Sequence, residues 1–154
     1  GKYCENVTNV VGTIPLFQTC LNESRRGLCT WNTFMSGQED MQDVQKARVG
    51  LGVATVLGGY HSTSSADHGT YYWLDEYGFE LGHRVAYTGI GGFLVGVFER
   101  GVVLYNTSNE DQQFDFLRNM CRFSGTQLPD INSGECSRIH TLPAKDVLFL
   151  WYGR

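Results

Sequence analysis

The chain has 154 residues, the size of one domain, and its 42% of hydrophobic and 18% of charged residues exclude intrinsic disorder. The net charge of −4 gives no basic surface for nucleic acid, and no apolar run reaches the roughly 18 residues of a membrane span. Nineteen glycines and 13% of aromatic residues favour short strands joined by tight turns over a helical bundle.

The cysteines and the N-glycosylation motifs indicate the cellular compartment. The five cysteines form no CxxC pair, so we expect neither a zinc site nor a redox motif, and no other metal or cofactor. Three N-glycosylation sequons occur, at Asn6, Asn22 and Asn106. They predict a secreted glycoprotein with N-linked glycans; the alternative is a cytosolic domain with buried thiols. The chain begins at Gly1 without a signal peptide, which is typical of a processed segment.

Residues 1–38 lack hydrophobic periodicity and are predicted to form an irregular, disulfide-bearing N-terminal segment. Cys20 and Cys29 bracket a short polar stretch that a disulfide would close. Connectivity among these two and Cys4 stays open from spacing alone. If they pair with each other, Cys4 is either unpaired or joined to another chain.

Apolar residues recur at steps of three and four from Glu39, which predicts an amphipathic helix over Glu39–Gly58. Ser36 and Glu39 form a capping box, and Gly58 ends the helix. Its buried face is expected to run along Val44, Leu51, Ala54 and Leu57, and its internal glycines are expected to pack closely on a sheet or a neighbouring chain. Residues 60–90 are predicted to be a loop with aromatic clusters.

Apolar runs in the last third of the chain predict about five antiparallel strands. Phe93–Glu99 and Val102–Tyr105 form a hairpin that leaves Asn106 at a solvent-exposed strand end. Phe114–Leu117, Arg138–Leu142 and Val147–Trp151 follow. The loop between Cys121 and Cys136 carries turn residues, so these two cysteines are predicted to form a disulfide.

The predicted fold class is α+β, mainly β. It consists of an antiparallel, β-sandwich-like sheet with one major packed helix. Residues 39–154 form this helix and β-domain, and 1–38 the irregular segment.

Four segments resemble secreted glycoside-hydrolase-like proteins over residues 41–154: KARVGLGVATVLGGYHS, HGTYYWLDEYGFELGH, VGVFERGVVLYNTS and IHTLPAKDVLFLWYGR. The resemblance implies the last helix of a (β/α)₈ barrel followed by a C-terminal antiparallel β-domain. Thr107 stands where such proteins have proline. The chain is too short for a barrel of about 250 residues, so we expect none of its strands here and transfer no catalytic residue.

Three groups of side chains are candidates for chemistry. Adjacent Asp75 and Glu76 point opposite ways in an extended segment and cannot easily flank a glycosidic bond, which favours a turn or ion-pair role. The cluster Tyr71, Tyr72 and Trp73 suits carbohydrate contact, although core packing is the commoner role.

The third group contains the residue types of a hydrolase triad, but it lacks a nucleophile elbow and is better explained as a polar loop. Its members are His61, Ser62, Ser64, Ser65, Asp67 and His68.

Three functions therefore remain open. The first is a secreted, N-glycosylated, non-catalytic module that is structural or assembly-forming and self-associates through strand edges, such as Val147–Trp151, or through the N-terminal segment. The second is the C-terminal part of a carbohydrate-active hydrolase. The third is a carbohydrate-binding module that uses the aromatic cluster.

Overall fold

The computed structural model describes residues 3–4, 10–23, 29–35, 41–65 and 73–153. The chain divides into two compact units, Gly1–Trp73 and Leu74–Arg154. This boundary differs from the predicted division after residue 38, because the long helix packs on strands of the first unit. No helix in the described residues is long and apolar enough to cross a membrane.

The first unit is a parallel β/α arrangement. Its elements are β1 (Tyr3–Cys4), α1 (Val10–Glu23), β2 (Thr30–Met35), α2 (Met41–Leu57) and β3 (Tyr60–Ser65). The strands form a parallel sheet in the order β1-β2-β3. Two predictions are corrected here. The first 38 residues contain a helix and two strands, and residues 60–65 form a strand where a loop was expected; parallel strands of β/α type were not expected at all.

Helix α2 confirms the predicted helix across Met41–Leu57. It ends at Gly58, whose φ of +83° places it in the left-handed region and whose N–H bonds to the Ala54 carbonyl at 2.9 Å. The expected capping box lies outside the described residues. Of the predicted buried face, Ala54 and Leu57 are buried, whereas Val44 and Leu51 are only partly buried. Val53 is fully buried as well, so the buried face is wider than the predicted one.

Both described helices pack on the same face of the parallel sheet. The Phe17 ring of α1 lies 5.3 Å from the Trp31 ring of β2. Gly50 of α2 lies against Trp31, Thr33 and His61, so closely that a methyl group would overlap the Thr33 hydroxyl. The predicted close contact between a helix glycine and a sheet is therefore confirmed at Gly50.

The second unit begins with a 3-10 turn, Asp75–Gly78, and continues as six strands. They are β4 (Arg84–Ile90), β5 (Phe93–Phe98), β6 (Gly101–Asn106), β7 (Gln112–Arg122), β8 (Cys136–Leu142) and β9 (Val147–Tyr152). All pairs are antiparallel, in the order β4-β5-β6-β9-β7-β8. The mainly β class and the hairpin are confirmed, whereas β4 was expected to be loop.

Strand β9 lies inside the sheet, paired with β6 on one side and β7 on the other. The prediction that Val147–Trp151 is an open edge is therefore wrong. The two edges are β4 and β8.

The six-stranded sheet curls over its own core, as expected for a sandwich-like fold. Phe93 in β5 and Phe114 in β7 have ring centroids 5.2 Å apart. Two strands separate them in the sheet, so a flat sheet would hold them about 14 Å apart. Curling buries an apolar core: Phe93, Val95, Val102, Leu104, Met120, Leu142, Leu148 and Leu150.

Candidate functional site

The parallel sheet of the first unit has one face that points away from both described helices. Side chains alternate along a strand, so the residues on either side of Trp31 and Thr33 face away from α1 and α2. We call this surface the open face; it consists of Thr30, Asn32 and Phe34 of β2 and Tyr60, Ser62 and Ser64 of β3. Phe34 is 47% exposed and Tyr60 57% exposed.

A short ladder of hydrogen bonds crosses the open face. The Ser62 hydroxyl donates to Asn32 Oδ1 at 2.9 Å, and Asn32 Nδ2 donates to Ser64 Oγ at 2.9 Å. A hydroxyl offers one donor and two acceptor positions, and each serine uses one of them in the ladder. The ladder is neutral, so it can hydrogen-bond a polar uncharged ligand but offers no acid or base.

His61 lies on the other face of β3, towards the helices. Its Nε2 atom is 3.1 Å from Thr33 Oγ1, and burial lowers the pKa of His61 to about 4, so the ring is neutral at pH 7. The strand therefore separates His61 from Ser62 and Ser64, which excludes a triad built from these three. Asp67 and His68 lie outside the described residues.

The aromatic cluster is described only at its last member. Trp73 is 68% exposed at the end of the first unit, while Tyr71 and Tyr72 lie outside the described residues. Carbohydrate contact at this cluster stays a prediction.

Asp75 and Glu76 hold the loop between β7 and β8. The Asp75 carboxylate accepts the N–H of Thr126, the N–H of Gln127 at 3.0 Å and the Thr126 hydroxyl at 3.0 Å. These hydrogen bonds, led by the Thr126 N–H, lower the pKa of Asp75 against a smaller opposing effect of burial. Buried Glu76 accepts Asn132 Nδ2 at 2.7 Å. The pair therefore has the structural role in a turn that its adjacency favoured.

The predicted Cys121–Cys136 disulfide is present, and of the pairings left open among the N-terminal cysteines the structure has Cys20–Cys29. Cys20 and Cys29 join the end of α1 to the residue before β2, and Cys121 and Cys136 are directly opposed on β7 and β8. The pairing register places the second pair directly opposite each other, with Cα atoms 3.9 Å apart, closer than the roughly 4.4–6.8 Å usual for a disulfide.

Asn106 is buried, so the prediction of a solvent-exposed sequon at this position is wrong. It does end strand β6, but its side chain is 0% exposed. Nδ2 donates to the carbonyls of Glu110 at 2.8 Å, Leu142 at 3.2 Å and Pro143 at 3.1 Å. Oδ1 accepts the Ser108 N–H and hydroxyl at 2.9 and 2.8 Å. A glycan would be attached at Nδ2, so this fold leaves no room for one there.

The structure describes one of the other two sequons. Asn22 is exposed near the end of α1 and stays a predicted glycosylation site. Asn6 lies outside the described residues.

Asn32 was missed by sequence reasoning, although it sits at the centre of the ladder. The signal was the alternation of polar side chains in TWNTFM, which pairs in register with YHSTSS. No group of three or more His, Cys, Asp or Glu in the described part of the chain is placed to hold a metal ion.

Comparisons with known proteins give one weak structural likeness and no sequence match. No protein-family model and no curated protein matches the chain. Among solved structures, one described as a glycoside hydrolase aligns with a TM-score of 0.47 and 10% sequence identity. The alignment covers 92% of this chain and 46% of the glycoside hydrolase, so the chain spans less than half of that protein's length. The likeness is weak.

Proposed function

We propose that this chain is the C-terminal part of a secreted carbohydrate-active protein, in which the open face binds saccharide hydroxyl groups. The observation that carries the proposal is the polar ladder of Asn32, Ser62 and Ser64 on a parallel sheet whose described helices all pack on the opposite face. The sequence resemblance over residues 41–154 points in the same direction.

A parallel sheet with helices on one face only is typical of a closed β/α barrel. Open parallel sheets have both faces covered by helices, whereas in a barrel the strands cover one another's inner face. The open face would then be part of an inner wall. Further strands would come from a longer polypeptide or from a second chain.

The chemistry of the open face suits a sugar. Saccharides present many neutral hydroxyl groups, which pair with amides and hydroxyls, and apolar ring faces, which pack on aromatic side chains. The ladder supplies the first kind of contact. Exposed Phe34 and Tyr60 supply the second, and Trp73 is a further candidate in the same unit.

The proposed role is binding and not bond cleavage. Glycoside hydrolysis needs two carboxyl groups on either side of the scissile bond. The open-face positions of β2 and β3 carry no carboxylate. Catalytic groups would therefore lie in other parts of the complete protein.

Secretion forms part of the proposal. Two disulfides suit an oxidising compartment, and Asn22 is accessible to glycosylation.

Titration of the full chain with oligosaccharides of different composition, followed by NMR, tests this function. Asn32→Leu keeps the side-chain volume but removes the central amide of the ladder, so binding should fall at least tenfold. Thr33→Val on the helix-facing side of the same strand is the matched control and should leave affinity unchanged. Equal affinity in Asn32→Leu and the unmodified chain would contradict the proposal.

A non-catalytic, assembly-forming module is the second candidate. It is favoured by one specific observation, the complete exposure of strand β4, which is developed next.

A further inference from the structure

Strand β4 is unusual among the strands whose burial is described, because none of its residues is buried. All seven residues of Arg84–Ile90 are exposed, on both faces of the strand. Three of them are large and apolar: Val85 is 68% exposed, Tyr87 47% and Ile90 56%. Since β4 is also an edge of the six-stranded sheet, one of its sides has no neighbouring strand among the described residues.

The hairpin turn fixes which backbone groups of β4 point outward. Gly91 and Gly92 have φ of +56° and +83°, as in the two-residue turns that suit tight hairpins. Such a turn makes Ile90 and Phe93 a hydrogen-bonded pair, and the pairs then alternate along the strands. The N–H and C=O groups of Tyr87 and Gly89 therefore point away from β5. The Gly89 carbonyl has one weak contact, with the Thr88 hydroxyl at 3.5 Å.

Between Ala86 and Ile90 this edge lacks the usual protection against pairing, because the pairing irregularity of β4 lies nearer its start, between Arg84 and Ala86. Exposed edge strands are commonly guarded by lysine, proline or charges in mid-strand. In β4 the single charged residue is Arg84 at its start. The other edge, β8, carries Arg138 within the strand, held 3.0 Å from Asp115.

We propose that β4 pairs with β4 of a second copy, antiparallel about a two-fold axis through Thr88. In this register Tyr87 lies opposite Gly89 of the second copy, and Ala86 opposite Ile90. A large side chain thus meets a small one at each position. Thr88 meets its own counterpart, a favourable cross-strand pair.

The register also agrees with the hydrogen bonding. The outward groups of Tyr87 and Gly89 fall in the hydrogen-bonded pairs of the new ladder, and the Thr88 pair falls in a close, non-hydrogen-bonded position. The regularly paired part of β4, residues 86–90, carries no charged residue, so no like charges meet there. These features single out a second copy as the occupant, because an unrelated strand would have no reason to match them.

Sedimentation of the oxidised full chain from about 1 to about 100 μM tests the pairing, a range that covers weak association. The unmodified chain should reach twice its 17.3 kDa mass. Thr88→Lys and Thr88→Asp each place like charges face to face and should stay monomeric, while their equimolar mixture should dimerise again. Leu117→Lys, at an 84% exposed site on β7, is the matched control and should dimerise normally.

A second variant tests the backbone directly. Tyr87→Pro removes an outward N–H that the hairpin does not use, so the fold is kept while pairing is lost. A monomeric unmodified chain at the highest concentration would overturn the proposal. So would dimers of Thr88→Lys or Tyr87→Pro, which would place the interface elsewhere.

Discussion

Replacement of Asn106 tests whether the buried sequon is part of the fold. In Asn106→Ala, the Ser108 hydroxyl keeps its bond to the Glu110 carbonyl at 2.7 Å, and the Pro143 carbonyl keeps the Asp146 N–H at 3.3 Å. The Ser108 N–H and the Leu142 carbonyl lose the partner that Asn106 supplied. Each such loss costs about 1–3 kcal/mol, so unfolding should become easier by about 2–6 kcal/mol.

Asn106→Asp is a sharper variant because it keeps the shape of the side chain. Its carboxylate still accepts from Ser108 but faces three carbonyl oxygens in place of the Nδ2 donor. We expect a loss at least as large as with alanine at pH 7. Because burial would raise the pKa of this new carboxyl, protonation near pH 5 should restore part of the stability.

Urea denaturation at pH 7 and pH 5, followed by circular dichroism, measures both effects, and hydrogen exchange of the Ser108 amide locates them. Asn22→Asp, at an exposed position, is the control and should change stability by less than about 0.5 kcal/mol. If Asn106→Asp matches the unmodified chain at pH 7, the buried network does not stabilise the fold as argued.

Four further outcomes are expected. Gly50→Ala should destabilise the first unit by about 1–3 kcal/mol through overlap with Thr33, despite its better helix propensity, as measured by urea denaturation. Because the pKa of His61 is lowered to about 4 in the folded chain, the unfolded chain takes up this proton at a higher pH. The free energy of unfolding should therefore fall by up to about 3 kcal/mol as pH drops from 6.5 to 4. His61→Gln should remove this pH dependence of the urea midpoint. The lowered pKa of Asp75 stabilises the fold above the usual pKa of 3.8, so Asp75→Asn should lower the urea midpoint at pH 7. The difference from the unmodified chain should shrink as pH falls below 3.8 towards the lowered pKa of the folded state. Cys136→Ser should cost about 3 kcal/mol by opening the loop closed by its disulfide, as measured by thermal unfolding.

Controls accompany these outcomes. Gly78→Ala adds a methyl group where nothing lies within 4 Å and should be nearly neutral, in contrast to Gly50→Ala. Persistence of the acid slope in His61→Gln would assign it to another group. Equal midpoints of Asp75→Asn and the unmodified chain at pH 7 would contradict the stabilising role of the Asp75 hydrogen bonds. Unchanged thermal stability in Cys136→Ser would mean that pairing of the neighbouring strands holds the loop without the disulfide.

Elements with strong periodicity were predictable from the sequence. Helix α2 has apolar residues at helical spacing, and the β5–β6 hairpin and β9 are short apolar runs between turn residues. Strand β3, YHSTSS, was missed because its polar residues carry no hydrophobic alternation. Strand β4 was missed because it has no buried face, and α1 because Pro15 and Gly12 interrupt its pattern.

The residues of the candidate site could not be predicted, because they meet through contacts between residues that lie far apart in the sequence. Asn32 and Ser62 are thirty residues apart and meet only because β2 and β3 pair in parallel register. Likewise, Asn106 follows an apolar strand and resembles an exposed strand end. Asn106 is buried because its side chain donates to the carbonyls of Leu142 and Pro143, which lie at the end of β8, far along the chain.

The positions of the two disulfides determine how the chain comes apart when it is cut. Each bridge closes within one unit, Cys20–Cys29 in the first and Cys121–Cys136 in the second. Only the peptide chain between β3 and Asp75 links the units covalently. A single protease cut between residues 66 and 72 therefore yields two polypeptides without any reductant, each retaining its own bridge.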